Sequence, residues 1–159
     1  MLFRSETVAS FSNPPPPNGG NNAVSAYDLV RLISMLGWHQ HLAPNAQLPF
    51  AQWKSLESMV RAMGVDTARY VDVALETLGL INVISEPVVI SKVGFGESSM
   101  TYVAFVRFID NSVNPKKLRA FSLALRCPKN NGASDDFCDT RLAAAVTEII
   151  RRIVQEELV

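Results

Sequence analysis

The stretch from Met100 to Ile109 narrows most what this chain can become. At the two-residue period of a strand, Tyr102, Ala104, Val106 and Phe108 fall on one face. Thr101, Val103, Phe105 and Arg107 fall on the other. Both faces are largely apolar, so the run is a central strand that other structure must cover on two sides. Shorter apolar runs flank it. Val88 to Ile90 is β-branched, as suits a buried strand, and it leads through Ser91 to Lys92-Val93-Gly94-Phe95-Gly96. That Gly-Phe-Gly stretch reads as a turn at the strand's end, where something can approach the backbone closely. Leu118 to Arg126 follows the loop Asp110 to Lys117, whose Asn114-Pro115 is a turn signal. Short loops between the runs imply an antiparallel meander.

A helix follows from about Asp139. Leu142, Ala145, Val146, Ile149, Ile150 and Ile153 face inward, and Glu148, Arg151, Arg152 and Glu156 face water. This helix should lie across the sheet. Upstream, Ser25 with Asp28 three residues on is a variant of the capping box, and it opens a helix with Leu29, Leu32, Ile33 and Leu36 on one apolar face. Gly37 allows that helix to end or kink. Trp53, Leu56, Met59, Val60 and Met63 mark a second helix stopped by Gly64. Asp66 caps a third, through Tyr70, Val71, Ala74, Leu75 and Leu78 to Gly79. Short loops make the three a compact helical layer. The fold class is therefore α+β: a helical layer, a three-stranded antiparallel meander, and a C-terminal helix packed on the sheet. Residues 25–159 form this domain, preceded by a Pro/Gly/Asn-rich segment or linker over residues 1–24, whose core is Asn13 to Asn22.

A chain of 159 residues suits one domain with a real core. Fifteen Lys and Arg against fifteen Asp and Glu leave no net charge, which favours neither nucleic acid nor an anionic membrane. No apolar run nears the roughly 20 residues that span a bilayer. Met1 to Ser12, with Arg4 and Glu6 among its apolar residues, does not read as a signal peptide, and no compartment follows. Cys127 and Cys138 flank a polar loop; a disulfide there is geometrically open, but without a wider framework two unpaired thiols are the favoured reading. His39 and His41 lack a Cys or carboxylate cluster nearby, so neither a metal site nor a cofactor is expected. Asp135 and Asp136 read as solvated residues of a polar loop.

The order of these elements resembles the C-terminal half of a penicillin-recognising serine hydrolase, the class A β-lactamase and penicillin-binding-protein family. Ser25-Ala26-Tyr27-Asp28-Leu29-Val30-Arg31-Leu32 is similar to the family's helix after the second active-site motif. Lys92-Val93-Gly94 stands where the family carries Lys-Thr-Gly or Lys-Ser-Gly, ahead of two antiparallel strands and a last helix. The resemblance spans about residues 23 to 159, and it implies an incomplete β-lactamase-like fold. It makes Lys92, Val93, Gly94 and Phe95 the third-motif substrate-binding equivalents, with Val93 replacing the hydroxyl residue and the Phe95 N–H at the oxyanion position.

The family's chemistry is incomplete here. No serine has lysine three residues later, so the nucleophile motif Ser-x-x-Lys is missing and no catalytic residue is assigned. The second motif, Ser-x-Asn or Tyr-x-Asn, is also read as absent; Ser12-Asn13 lacks the spacer. One expectation is thus a β-lactamase-like C-terminal portion, inactive alone. Its edge strand, Phe121 to Arg126, would pair with another copy or with a missing N-terminal half. The alternative is a non-enzymatic α+β interaction module that homo-oligomerises through an exposed sheet edge. A third reading is a small-ligand binder that keeps such a pocket without chemistry.

Overall fold

A computed structural model describes residues 24–49 and 51–158. The linker expected over residues 1–24 lies almost wholly outside them. Three strands, β1 (Ile84–Phe95), β2 (Ser99–Asp110) and β3 (Lys117–Pro128), form one antiparallel sheet in the order β1-β2-β3. Helices α1 (Ala26–Trp38) and α2 (Trp53–Gly64) precede it together with α3 (Tyr70–Thr77), and α4 (Asp135–Ile153) follows. The fold is α+β, with the meander and the C-terminal helix expected from sequence.

The register explains the two-sided apolar pattern of β2. Ile90 pairs with Phe105, and Phe105 with Ser122, so these three share one face of the sheet. Val93 pairs with Tyr102, and Tyr102 with Leu125, and these share the other. On the first face Ile90 and Phe105 pack with Ile33, Leu36 and Leu56 of α1 and α2. On the second, Val93, Tyr102, Val106 and Phe108 pack with Val71, Leu75, Leu142, Val146 and Ile150 of α3 and α4. The sheet is the middle layer of three, and β2 is buried from both sides.

The three early helices therefore do not form one layer, as their short loops had suggested. Helix α3 packs instead with α4 on the second face, and the Tyr70 hydroxyl donates a hydrogen bond to Asp139 of that helix. Nor does Asp66 cap α3: the helix begins at Tyr70 after Arg69, and the Asp66 carboxylate accepts the Ala68 N–H in a local turn (3.3 Å). Helix α4 begins a turn before Asp139. Its cap is Ser134, which accepts the Phe137 N–H at 3.2 Å, and Asp135 and Asp136 belong to its first turn, where the helix dipole favours carboxylates.

Strand β1 also starts earlier than its β-branched run. Pro87 and Glu86, the latter at φ 50°, sit in an irregularity between Ser85 and Val88, a position where an edge strand tolerates a proline. At its other end the strand continues through Gly94 and Phe95. The chain turns at Glu97-Ser98, where the Gly96 N–H meets the Ser99 carbonyl at 3.0 Å. Lys92 is thus inside a strand and not at its end.

Candidate functional site

Helix α1 opens as its sequence implies. The Ser25 hydroxyl accepts the Asp28 N–H at 3.1 Å, and the Asp28 carboxylate accepts the Ser25 N–H at 3.2 Å. Its apolar stripe is wider than the core needs. Ile33 and Leu36 are buried, whereas Leu32 remains 49% exposed. Helix α2 repeats this: Leu56 is buried, and Met59 is 53% exposed. Both excess stripes line one groove.

That groove exists because the two helices sit apart. Helix α1 lies over β2 and β3 and α2 over β1, and they touch each other only sparingly. The gap holds about 380 Å³. Leu29, Leu32 and Leu36 form one wall, Leu56, Met59 and Met63 the other, and Lys92 with Val103 the floor. Lys92 is the single charged side chain among the lining residues. It reaches this face because Lys92 pairs with Val103, two residues along from the Ile90–Phe105 pair.

The Lys92 ammonium donates to the Val93 carbonyl at 2.8 Å and lies 3.5 Å from Asp66 Oδ2, with its side chain 61% exposed. Asp66 is nearly buried and also accepts the Val93 N–H at 3.2 Å. A carboxylate thus occupies the open edge of β1 at this point and blunts it against pairing. Sequence gave no sign of that role, which depends on the approach of the α2–α3 connection to β1.

The four residues singled out from sequence do not converge. Lys92 faces the groove, while Val93 points through the sheet into the core beside Tyr102. An apolar side chain is what that buried position requires, whatever else it does. Gly94 pairs with Thr101, and Phe95, 64% exposed, stands at the end of the hairpin away from the groove lining. Read literally, Ser-x-Asn does occur once, as Ser112-Val113-Asn114, downstream of Lys92 between β2 and β3. There Ser112 serves Asp110: its N–H and Oγ lie 2.9 and 2.5 Å from Asp110 Oδ1.

Other reactive groups are held quiet. Cys127 and Cys138 are free and buried. The Cys138 thiol is pushed up by its interaction with the Cys127 thiol and by burial, which keeps it protonated. Burial, and then the bond to Asp139, push the Tyr70 phenol up. His39 is buried and stacked on Trp53, with ring centroids 5.8 Å apart. No group of three or more His, Cys, Asp or Glu among the described residues is placed to hold a metal ion. No described helix is long and apolar enough to cross a membrane. A larger cleft of about 450 Å³ lies between β3 and α4, but its walls mix Arg126, Arg141 and Asn130 with apolar groups.

No family model matches the chain, and no curated protein or solved structure matches it either.

Proposed function

We propose that this chain is a binding module without catalysis of its own, and that the groove between α1 and α2 is its working surface. The observation that carries this reading is the groove's lining: apolar throughout except for Lys92, with no hydroxyl, thiol, imidazole or carboxylate side chain. The one ionisable side chain there, Lys92, is engaged by the Val93 carbonyl and Asp66, and no second group in the lining stands beside it to serve as base or nucleophile. The groove has what apolar recognition needs, namely concave apolar walls and adaptable methionines. An occupant would bury Leu32 and Met59, which are about half exposed.

The test is binding of an environment-sensitive apolar dye. The wild-type chain should bind one equivalent, and Leu32→Glu and Met59→Glu should each weaken binding at least tenfold while unfolding at the wild-type temperature. Equal binding by all three would sink the reading.

A second reading, a β-lactamase-like portion that completes its site with a missing half, draws support from one feature. Lys92 faces a groove between sheet and helices, as the third-motif lysine of that family should. Labelling with a fluorescent penicillin and a fluorophosphonate, read by intact mass, tests the expectation both readings share, that this chain is inactive alone. We expect no adduct; a stoichiometric adduct on a serine would refute the non-catalytic reading.

A further inference from the structure

We infer that a second copy of this chain adds antiparallel to β3 in one register, about a two-fold axis at Ser122. The sheet's own hydrogen bonding shows which residues are available. The Lys129 N–H donates to the Ser98 carbonyl at 2.9 Å, one step beyond the Ser99–Pro128 pair. Hydrogen-bonded and non-hydrogen-bonded pairs alternate along an antiparallel ladder. Phe121, Leu123, Leu125 and Cys127 therefore turn their N–H and C=O groups toward β2. Leu118, Ala120, Ser122, Ala124 and Arg126 turn theirs outward, and among the described residues no other group bonds them. From Leu118 to Arg126 the edge has no proline, no bulge and no covering carboxylate, unlike β1.

A two-fold axis can make such an edge its own complement. With the axis at Ser122, Leu118 meets Arg126 of the second copy, Ala120 meets Ala124, and Ser122 meets itself. Every outward N–H then faces an outward carbonyl. Charge selects this register over its neighbours. Strand β3 holds Lys117, Arg119 and Arg126 and no carboxylate, so like charges opposite each other would be destabilising. About Ser122, no two of these cations stand opposite. Moving the axis to Phe121 sets Arg126 against Lys116. Moving it to Leu123 sets Lys117 against Lys129 and puts Pro128, which has no N–H, opposite Leu118. In the Ser122 register the aliphatic stem of Arg126 lies across Leu118, which is 59% exposed in the single chain. On the other side of the sheet Phe121 faces Leu123 of the second copy, an aromatic-aliphatic cross-strand pair. The two three-stranded sheets become one of six strands.

The register is tested by cross-linking with oxidised glutathione. In a hydrogen-bonded pair the Leu118 and Arg126 Cα atoms lie about 5.5 Å apart, within the reach of a disulfide. The double variant Leu118→Cys, Arg126→Cys should form a covalent dimer. Each single variant should not, because two copies of residue 118 stand about 27 Å apart along the strands. Wild type should also stay unlinked, since Cys127 and Cys138 are buried. No link in the double variant, or equal linking by the singles, overturns the register. Amide exchange in the unsubstituted chain gives a second reading. At about 200 µM the Ser122 and Ala124 amides should exchange at least tenfold more slowly than in Ala120→Pro, whose lost N–H points outward. The Leu123 and Leu125 amides, bonded within the sheet, should stay slow in both and so report an intact fold. Equal exchange of Ser122 and Ala124 in the two proteins overturns the pairing. Protection that appears only on adding polyglutamate overturns the second copy as occupant and makes an acidic strand the partner.

Discussion

Asp110 shows what one buried charge contributes to this molecule. It is fully buried and lies at the end of β2, where Arg119 Nε donates to Oδ2 at 2.6 Å and Ser112 contributes its N–H and hydroxyl. The Ser112 oxygen is also 2.9 Å from the Leu158 carbonyl, so its single proton serves one acceptor at a time. The hydrogen bonds from Ser112, with help from Arg119, hold the Asp110 carboxyl below its usual range despite burial. A carboxyl with a depressed folded value stabilises the fold above its unfolded pKa, near 3.9, and that contribution is lost as pH falls through the folded value. Urea unfolding followed from pH 6 to pH 3 should show declining stability, and Asp110→Asn should flatten the lower part of the curve. An unchanged slope in the variant would remove Asp110 from the account. Glu148, held at about 2 by Arg151 and Arg152, titrates in the same direction, but as a solvated pair on α4 it adds little.

At the scale of elements, the approach of α1 to the sheet depends on Gly37. Gly37 lies in the helix's last turn, one residue before it ends at Trp38. A Cβ added at Gly37 would lie 2.5 to 2.7 Å from three ring atoms of Phe105, a side chain only 3% exposed. Gly37 is thus the residue that lets the helix seat on that ring. Gly37→Ala gains about 1 kcal/mol of helix propensity. It must then push α1 or Phe105 aside, at a cost of about 1–3 kcal/mol. The net result should be destabilisation, read as a lower denaturation midpoint at unchanged m-value. Because α1 is one wall of the groove, the same variant should weaken dye binding. A gain in stability would mean that Phe105 has room to move.

For the whole molecule, the question is what meets the sheet edges. Both β1 and β3 are edges. Strand β1 is blunted by its irregularity at Pro87 and by Asp66 at Val93. Strand β3 runs twelve residues from Lys117 to Pro128, and it is the edge expected from sequence to pair with another chain. We propose that two copies associate there. Sedimentation velocity at tens of micromolar should then show a dimer, and Ala120→Pro, on the edge strand, should shift it to monomer. A strictly monomeric wild type would retire this proposal without touching the groove.

Much of the architecture was legible in the chain. The Ser25–Asp28 cap, the three apolar runs, the two-sided pattern of β2 and the inward stripe of α4 are local or periodic signals, and short-range sterics and burial enforce them directly. The extra turn of α4 was legible too, in Ser134 followed by two aspartates, though Asp135 and Asp136 also suit a solvated loop. What tertiary structure alone decided is the placement of elements across the sheet. Helices α1 to α3 carry similar apolar stripes, and nothing in a stripe says which face of the sheet will bury it. The divergence of Lys92 and Val93 to opposite faces follows from the strand continuing through both, where the adjacent glycines had suggested a turn. The groove was least legible of all. The stripe of Leu29, Leu32, Ile33 and Leu36 reads as core from its period, and only the separation of α1 from α2 leaves half of it facing a gap. Periodicity records which side chains avoid water; the distance between two helices is set by what the sheet beneath them holds apart.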